Sequence, residues 1–147
     1  SIHDFYKGVG KVDLAPGELL TGILIPKESY ENCFGYYIKY AMRNAMDIAT
    51  IGCSINVVLS ADKKTISRMR ISYGVAGPVP MRARTAEAAV NGQPVSEATI
   101  ELIGKAVLND VNPRTSWRAS ADFRKQIISE TARRGLRAAV ERAGGVF

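Results

Sequence analysis

The clearest alternation of hydrophobic and polar residues lies in the middle of the chain. Between Ile51 and Leu59, and again between Met69 and Val75, every second residue is apolar. Because successive side chains of a strand point to opposite faces of a sheet, both segments predict strands with one buried face. The polar residues 61–64 between them are typical of a turn. The pattern therefore predicts an antiparallel hairpin, with Val75 still facing inward.

Two further strands are predicted upstream of this hairpin. Residues 19–26 form a short apolar run that a proline closes, and residues 33–42 alternate with a high content of aromatic side chains. Residues 43–50 break the alternation and predict a loop or a single helical turn. Residues 1–17 contain three glycines and a proline, which predict a loop.

The period changes to that of helices after residue 84. Thr85, Ser96 and Ser120 each precede a segment with helical spacing of apolar residues, and such side chains are preferred N-caps. The third helix is the longest, and Phe123 is the first residue of its predicted apolar stripe. Strands followed by helices predict an α+β fold: an antiparallel sheet of three to four strands followed by three helices packed on one face. We expect residues 1–147 to form a single domain.

The formal net charge of +6 is concentrated near the C-terminus. Residues 113–147 contain eight arginines and lysines but only three carboxylates. Two interpretations remain open: the solvated face of an amphipathic helix, or a basic patch for nucleic acid, phosphates or an acidic partner. The aromatic residues cluster in residues 30–40, away from these arginines, which disfavours base stacking on nucleic acid.

Few residues are suited to metal binding or nucleophilic catalysis. His3 is the only histidine, and Cys33 and Cys53 stand 20 residues apart with no CxxC spacing. This composition argues against a histidine-based metal site and against a Ser-His-Asp triad. No apolar run approaches the roughly 20 residues of a membrane span, and no signal-peptide pattern is present. We expect free thiols and a cytoplasmic location.

The most suggestive polar cluster is Lys39, Arg43 and Asp47, which are spaced four residues apart. On a helix they would share one face, and Asp47 would pair with Arg43. At the end of a strand, Lys39 would instead point outward from the rim of the sheet. An ordinary surface ion pair, which adds little stability, is the simpler interpretation of the same spacing. No arrangement of side chains predicts a catalytic residue or a metal ligand in this chain.

Four motifs, in the same order along the chain, resemble one known family. They are FYKGVGKVDLAPGELLTGILIP (5–26), YIKYAMRNAMDIATIGCSINV (37–57), RISYGVAGPVPMRARTAEAAVNGQP (70–94) and SWRASADFRKQIISETARRGL (116–136). Together they resemble the C-terminal domain of the FAD-binding subunit of molybdenum hydroxylases, the xanthine dehydrogenase and carbon monoxide dehydrogenase medium-subunit family. The AMRNAMDIATIGC segment and residues 113–120 fit the bacterial xanthine dehydrogenase branch best.

The resemblance implies a partial FAD site. In the family, a lysine at the position of Lys39 reaches the flavin, and a leucine at the position of Leu19 packs near the isoalloxazine ring. Arg43 and Asp47 match polar positions that lie beside the flavin. The family's glycine-rich pyrophosphate loops precede this domain, so residues 1–17 would connect it to an upstream FAD-binding region. The molybdenum cofactor and the 2Fe–2S clusters belong to other domains or subunits.

The implied function is electron transfer within a larger oxidoreductase. Electrons from oxidation of a purine or similar heterocycle would pass from molybdenum through iron–sulfur clusters to FAD, and then to NAD or another acceptor. The expected partners are the upstream FAD-binding region, the iron–sulfur subunit and the molybdenum-cofactor subunit, so the domain would not be active alone. Neither a nucleic acid partner nor a membrane span is expected. Two alternatives stay open: a small basic nucleic-acid-binding module that uses its arginine-rich last helix, and a purely structural domain for subunit contact.

Overall fold

A computed structural model describes residues 1–147. The fold is built on a four-stranded antiparallel sheet. A small hairpin of β1 (Tyr6–Gly8) and β2 (Lys11–Val12) precedes it. The strands of the main sheet are β3 (Phe34–Tyr40), β4 (Ile51–Leu59), β5 (Ile66–Gly74) and β6 (Met81–Arg82), and they lie side by side in that order. The predicted hairpin is confirmed, since β4 and β5 pair antiparallel with Ile55 opposite Ile71.

Three helices lie on one side of this sheet; two pack directly on its strands, and the middle one packs mainly on the other two. After a four-residue helix α1 (Ile2–Phe5), they are α2 (Arg84–Val90), α3 (Glu97–Ala106) and α4 (Ala121–Arg142). Two 3-10 turns, Lys27–Ser29 and Val107–Asn109, complete the regular elements. The predicted α+β class, with strands first and helices afterwards, is confirmed.

The hydrophobic core lies between the sheet and the helices. Alternate side chains of β4 and β5 are fully or almost fully buried, and α4 packs across them with Ile128, Leu136 and Val140. Burying each such side chain contributes roughly 1.5–3 kcal/mol, so this layer dominates the stability of the fold. The strand residues in the core are Ile51, Cys53, Ile55, Val57, Ile66, Met69, Ile71 and Tyr73.

Two of the three predicted helix caps are confirmed. The Ser96 hydroxyl accepts a hydrogen bond from the Thr99 amide at 3.3 Å, and the Ser120 hydroxyl accepts one from the Phe123 amide at 3.2 Å. Thr85 is not a cap, because α2 begins one residue earlier. The amide of Thr85 instead donates to the carboxylate of Asp110 at 3.1 Å, so a side chain from beyond α3 stabilises this helix end.

The prediction of a strand at residues 19–26 is wrong. This segment has no regular structure, and its apolar side chains are exposed, because no neighbouring strand in the chain pairs with it. Residues 1–17, predicted as a loop, contain α1 and the β1-β2 hairpin. Val75 does not face inward, since β5 ends at Gly74 and Val75 has a positive φ of 69°. Phe123 is also exposed, and its ring lies beside the exposed ring of Tyr40 outside the core.

Candidate functional site

The face of the sheet opposite the helices carries small and polar residues. Strand pairing arranges them in rows, and in one row Lys39 lies opposite Gly52, which lies opposite Gly74. The adjacent row consists of Tyr37, Ser54, Ser72 and Arg82. We call the surface formed by these two rows the open face. It has glycines in one row and cationic side chains, Lys39 and Arg82, at two of its margins.

Gly52 matters because the ring of Tyr37 lies above it. A Cβ atom on Gly52 would stand 2.9 Å from the Tyr37 hydroxyl oxygen, closer than side chains normally approach. A Cβ atom on Gly74 would meet no atom within 4 Å. The open face is therefore free of side chains at Gly74, whereas the exposed Tyr37 ring covers Gly52.

The strand interpretation of Lys39 is correct. Lys39 is the last residue but one of β3, and its ammonium group donates a hydrogen bond of 2.6 Å to the carbonyl oxygen of Asp47. Residues 41–50 form an irregular loop rather than a helix, and the amide of Thr50 closes it by donating to the Tyr40 carbonyl at 2.8 Å. The loop therefore holds the Lys39 charge at the rim of the open face.

Asp47 organises this loop from within. Its carboxylate accepts hydrogen bonds from the amides of Met42 at 2.7 Å and Ile48 at 2.8 Å. The Met42 amide contributes most to a lowered pKa of the Asp47 carboxyl, and smaller contributions from Ile48 and Arg43 help to outweigh partial desolvation. The carboxyl is thus ionised at neutral pH.

The predicted pairing of Arg43 with Asp47, on a helix or as a surface ion pair, is wrong. The Arg43 guanidinium donates to the carbonyl of Met46 at 2.5 Å, and no ion pair joins it to Asp47. The reason is that residues 41–50 are not helical, so the spacing of four residues does not bring the two side chains together, and the Asp47 carboxylate binds amides of its own loop instead. Lys39, Arg43 and Asp47 nevertheless meet in one hydrogen-bonded loop.

Leu19 is the predicted site residue that this loop does not include. It belongs to the irregular segment 18–26, and 85% of its surface is exposed. The hydrogen bonds of that segment lie at its two ends, where Glu18 bonds to Ala15 and the Pro26 carbonyl accepts the Ser29 amide, and none joins it to residues 39–50.

An ion pair at the edge of the open face was missed by the sequence reasoning. The guanidinium of Arg82 donates two hydrogen bonds to the buried carboxylate of Glu87, one of them 2.8 Å long. The same carboxylate accepts the Ile71 amide at 3.0 Å, so it fixes α2 to β5 and β6. The R-A-x-x-A-E motif at residues 82–87 was its only sequence signal.

A second missed residue is Arg124, which is 3% exposed near the start of α4. Its guanidinium donates to the carbonyl of Thr50 and, at 2.9 Å, to the hydroxyl of Ser116. It therefore ties the end of loop 41–50 to the segment before α4. The burial of Arg124 could not be predicted from the sequence, because most arginines of the same helix are exposed.

Most arginines of α4 are occupied by carboxylates or carbonyl groups. Arg133 pairs with Glu101, Arg137 with Glu97, and Arg134 with Glu130. Arg142 donates to the carbonyl of Gly35 at 2.9 Å. These contacts favour the amphipathic-helix interpretation and remove much of the free charge on which a nucleic-acid module would depend.

The two cysteines are free thiols. Cys53 is buried against α4, and burial raises the pKa of its thiol to about 11, so it is inert at neutral pH. No group of three or more histidine, cysteine or acidic side chains is arranged to hold a metal ion. No helix is both long and apolar enough to cross a membrane.

Comparison with known proteins decides the family. The CO dehydrogenase flavoprotein C-terminal domain matches residues 36–139. This chain belongs to that family. A putative xanthine dehydrogenase FAD-binding subunit of Escherichia coli is 41% identical to it over 144 residues, which are 98% of this chain and 49% of that protein. The resemblance inferred from the four motifs is thereby confirmed.

Two solved structures share the fold of this chain. Quinoline 2-oxidoreductase from Pseudomonas putida 86 matches with a TM-score of 0.83 at 23% identity, over 95% of this chain and 47% of that one. Carbon monoxide dehydrogenase from Hydrogenophaga pseudoflava matches with a TM-score of 0.80 at 24% identity, with the same two coverages. The chain spans about half the length of the curated relatives that align with nearly all of it.

Proposed function

We propose that this domain forms one wall of the FAD site in a xanthine dehydrogenase-like molybdenum hydroxylase, with Lys39 beside the flavin. The observation that carries the proposal is the position of Lys39. The Lys39 ammonium group, held by the Asp47 carbonyl, stands at the end of a row that continues through Gly52 and Gly74, in a chain 41% identical to an FAD-binding subunit. The domain has no nucleophile or acid–base pair of its own, so it would contribute binding and electrostatics only.

The residues on the open face fit the ring end of a flavin. A planar ring needs a surface without protruding side chains, which Gly74 provides, and aromatic contact, which the exposed Tyr37 ring over Gly52 can supply. Leu19, which the family resemblance puts near the ring, is exposed and would add apolar contact from outside this face. No glycine-rich turn between a strand and a helix is present to hold a pyrophosphate. The open face is therefore suited to the isoalloxazine ring, and the phosphates of FAD would be bound by another part of the enzyme.

FAD, when bound, would accept electrons that come from iron–sulfur clusters and pass them to NAD or another acceptor. Lys39 would place a positive charge at the ring edge and stabilise the negative charge that reduction adds. The carbonyl of Asp47 holds the ammonium group in place, and the ionised Asp47 carboxylate keeps the loop folded. Arg43 stiffens the same loop through Met46.

The remaining parts of the proposal concern the assembly. An upstream FAD-binding region would bind the rest of the cofactor. It would be joined through residues 1–17 to residues 1–147, which would form a single domain. Separate iron–sulfur and molybdenum-cofactor subunits would complete an enzyme that oxidises a purine or similar heterocycle in the cytoplasm. The support is the identity to an FAD-binding subunit and the half-length match to such relatives.

Reconstitution with the upstream flavin-binding fragment from the same source tests this role. We expect the two pieces to co-elute with retained FAD and with changed flavin fluorescence. Lys39→Ala should weaken FAD retention and make the flavin harder to reduce, whereas Lys39→Arg should preserve most of both. Lys63→Ala, at the turn between β4 and β5 and thus at the opposite end of the sheet, is the matched control.

A purely structural domain would give a different result. It would still co-elute, but FAD retention and flavin reduction would be the same for Lys39→Ala and the unchanged chain. That outcome would contradict the flavin role and leave subunit contact as the function.

A further inference from the structure

A third row of residues extends the open face on the side away from Lys39. In this row Gly35 lies opposite Asn56, and Asn56 lies opposite Arg70. Arg70 and Ser72 are two residues apart on one strand, so they share a face of β5 with their Cα atoms about 7 Å apart. The three rows contain three cationic side chains and no carboxylate, so this side of the sheet attracts anions.

A cleft of about 510 Å³ opens beside this surface, at the edge formed by β6. Its polar lining consists of His3, Tyr6, Ser72, Arg82 and Arg84, and apolar side chains complete its walls. Clefts that combine apolar walls with a few convergent polar groups are typical of small-molecule sites.

Most of the polar groups of the cleft are free to bind a ligand. The side-chain hydrogen bonds formed by its lining residues are the two from Arg82 to Glu87. Neither Arg70 nor Arg84 forms an ion pair, whereas carboxylates hold several arginines on the helix side of the domain. We call Arg70, Ser72, Arg82 and Arg84 the arginine margin.

The donors of the arginine margin are suited to phosphate groups. A guanidinium group can bind two phosphate oxygens through parallel hydrogen bonds, and a serine hydroxyl can donate a further one. No carboxylate lines the cleft to repel such a group. Because the buried Glu87 carboxylate neutralises Arg82, the free positive charge belongs to Arg70 and Arg84.

The arginine margin lies across the open face from Lys39. Three strand spacings separate β3 from β6, which amounts to about 14 Å. Gly74, in the row of Lys39, is two residues from Ser72 on the same face of β5. A ligand whose phosphates lie at the margin can therefore extend a planar group toward the proposed flavin position near Gly74.

We propose that the arginine margin binds the phosphate groups of a nicotinamide dinucleotide that accepts electrons from the flavin. The choice of ligand rests on the proposed function, because a soluble acceptor has to reach the flavin ring, and the phosphates of FAD itself would be bound elsewhere. Arg70 and Arg84 bind phosphate oxygens, and the Ser72 hydroxyl donates to a third. The margin only binds: the hydride that reduces NAD⁺ to NADH comes from the reduced flavin, which is reoxidised.

Steady-state kinetics of the complete enzyme with Arg70→Ala or Arg84→Ala test this proposal. Each variant should raise the KM for NAD⁺ about ten-fold or more with little change in kcat, because the lost contacts hold the ground state and the transition state equally. ADP-ribose, which has both phosphates but no nicotinamide, should compete with NAD⁺ and lose affinity by the same factor. The FAD content should not change. Arg134→Ala, which removes an exposed arginine paired with Glu130 on the helix side, is the matched control and should leave both constants unchanged.

Several outcomes would overturn the proposal. An unchanged KM for NAD⁺ in both variants would do so, as would an enzyme that does not bind ADP-ribose. Loss of FAD from both variants would make the margin a phosphate site for FAD, and weaker co-elution with the upstream fragment at an unchanged KM would make it a protein contact. Equal inhibition by inorganic phosphate and ADP-ribose would show recognition of a bare anion and not of a nucleotide.

Lys39→Ala separates this proposal from the proposed function. It should impair flavin retention and reduction, but it should leave the affinity for ADP-ribose unchanged because Lys39 stands at the other margin of the open face. A normal effect of Lys39→Ala with no effect of Arg70→Ala or Arg84→Ala would overturn the nucleotide site alone. The reverse result would overturn the flavin role of Lys39.

Discussion

Arg82 and Glu87 form a two-point ion pair that joins the short edge strand β6 to the first turn of α2. The carboxylate of Glu87 is buried, and it also accepts the amide of Ile71 from the central part of β5. The Glu87 side chain thus links α2, β5 and β6 at the margin of the open face. Removing it leaves both the guanidinium and the amide without their acceptor.

Glu87→Ala should therefore lower the free energy of unfolding by about 3 kcal/mol. It leaves the partly buried Arg82 guanidinium and the buried Ile71 amide without their acceptor. Urea denaturation measures this change. The control is Glu101→Ala, which breaks the more exposed pair with Arg133 and should cost less than about 1 kcal/mol. Equal costs for the two variants would show that Glu87 has no special structural role.

Arg124→Ala should destabilise the chain by about 2–3 kcal/mol, because it removes the donor to the buried carbonyl of Thr50. Thermal or urea unfolding is the measurement, and amide exchange in residues 41–50 should rise at the same time. Arg134→Ala, which removes an exposed pair with Glu130, should change stability by about 0–0.5 kcal/mol. Unchanged exchange in loop 41–50 would contradict the anchoring role of Arg124.

The lowered pKa of Asp47 predicts how loop 41–50 responds to acid. A carboxyl whose pKa is lower in the folded state contributes stability above its unfolded pKa of about 3.9, and this contribution is lost as the pH falls through the folded pKa. The amide resonances of Met42 and Ile48 should therefore titrate with a midpoint below that of an ordinary aspartate. Asp47→Asn should abolish this titration, and a midpoint above 3.8 would contradict the assignment.

Gly52→Ala should disturb the open face, because the added Cβ atom would meet the Tyr37 hydroxyl at 2.9 Å. We expect a loss of about 1 kcal/mol in stability and a changed position of the Tyr37 ring in NMR spectra. Gly74→Ala is the matched control, since its Cβ atom would meet nothing within 4 Å. Tyr37→Ala should remove the penalty in a double variant, and additive effects would show that the two residues do not touch.

The amino-acid pattern alone was enough to predict the three longest strands of the sheet and the resemblance to the family. The period-two pattern from Ile51 to Val75 predicted β4 and β5 because a strand with one buried face has to alternate. Ser96 and Ser120 predicted their helix starts because capping depends on residues close in sequence. The family resemblance predicted a flavin-site role for Lys39, while the physical pattern left its helical and strand interpretations open.

Contacts between residues far apart in sequence could be found only from the folded chain. Residues 19–26 are as apolar as a core strand, yet a strand also needs a hydrogen-bonded neighbour, and this chain supplies none. Asp110 caps α2, and Arg124 reaches Thr50 across 74 residues, because packing brings these groups together and no local pattern records that distance. The rows of the open face likewise depend on strand register, which the pairing of β3, β4 and β5 fixes.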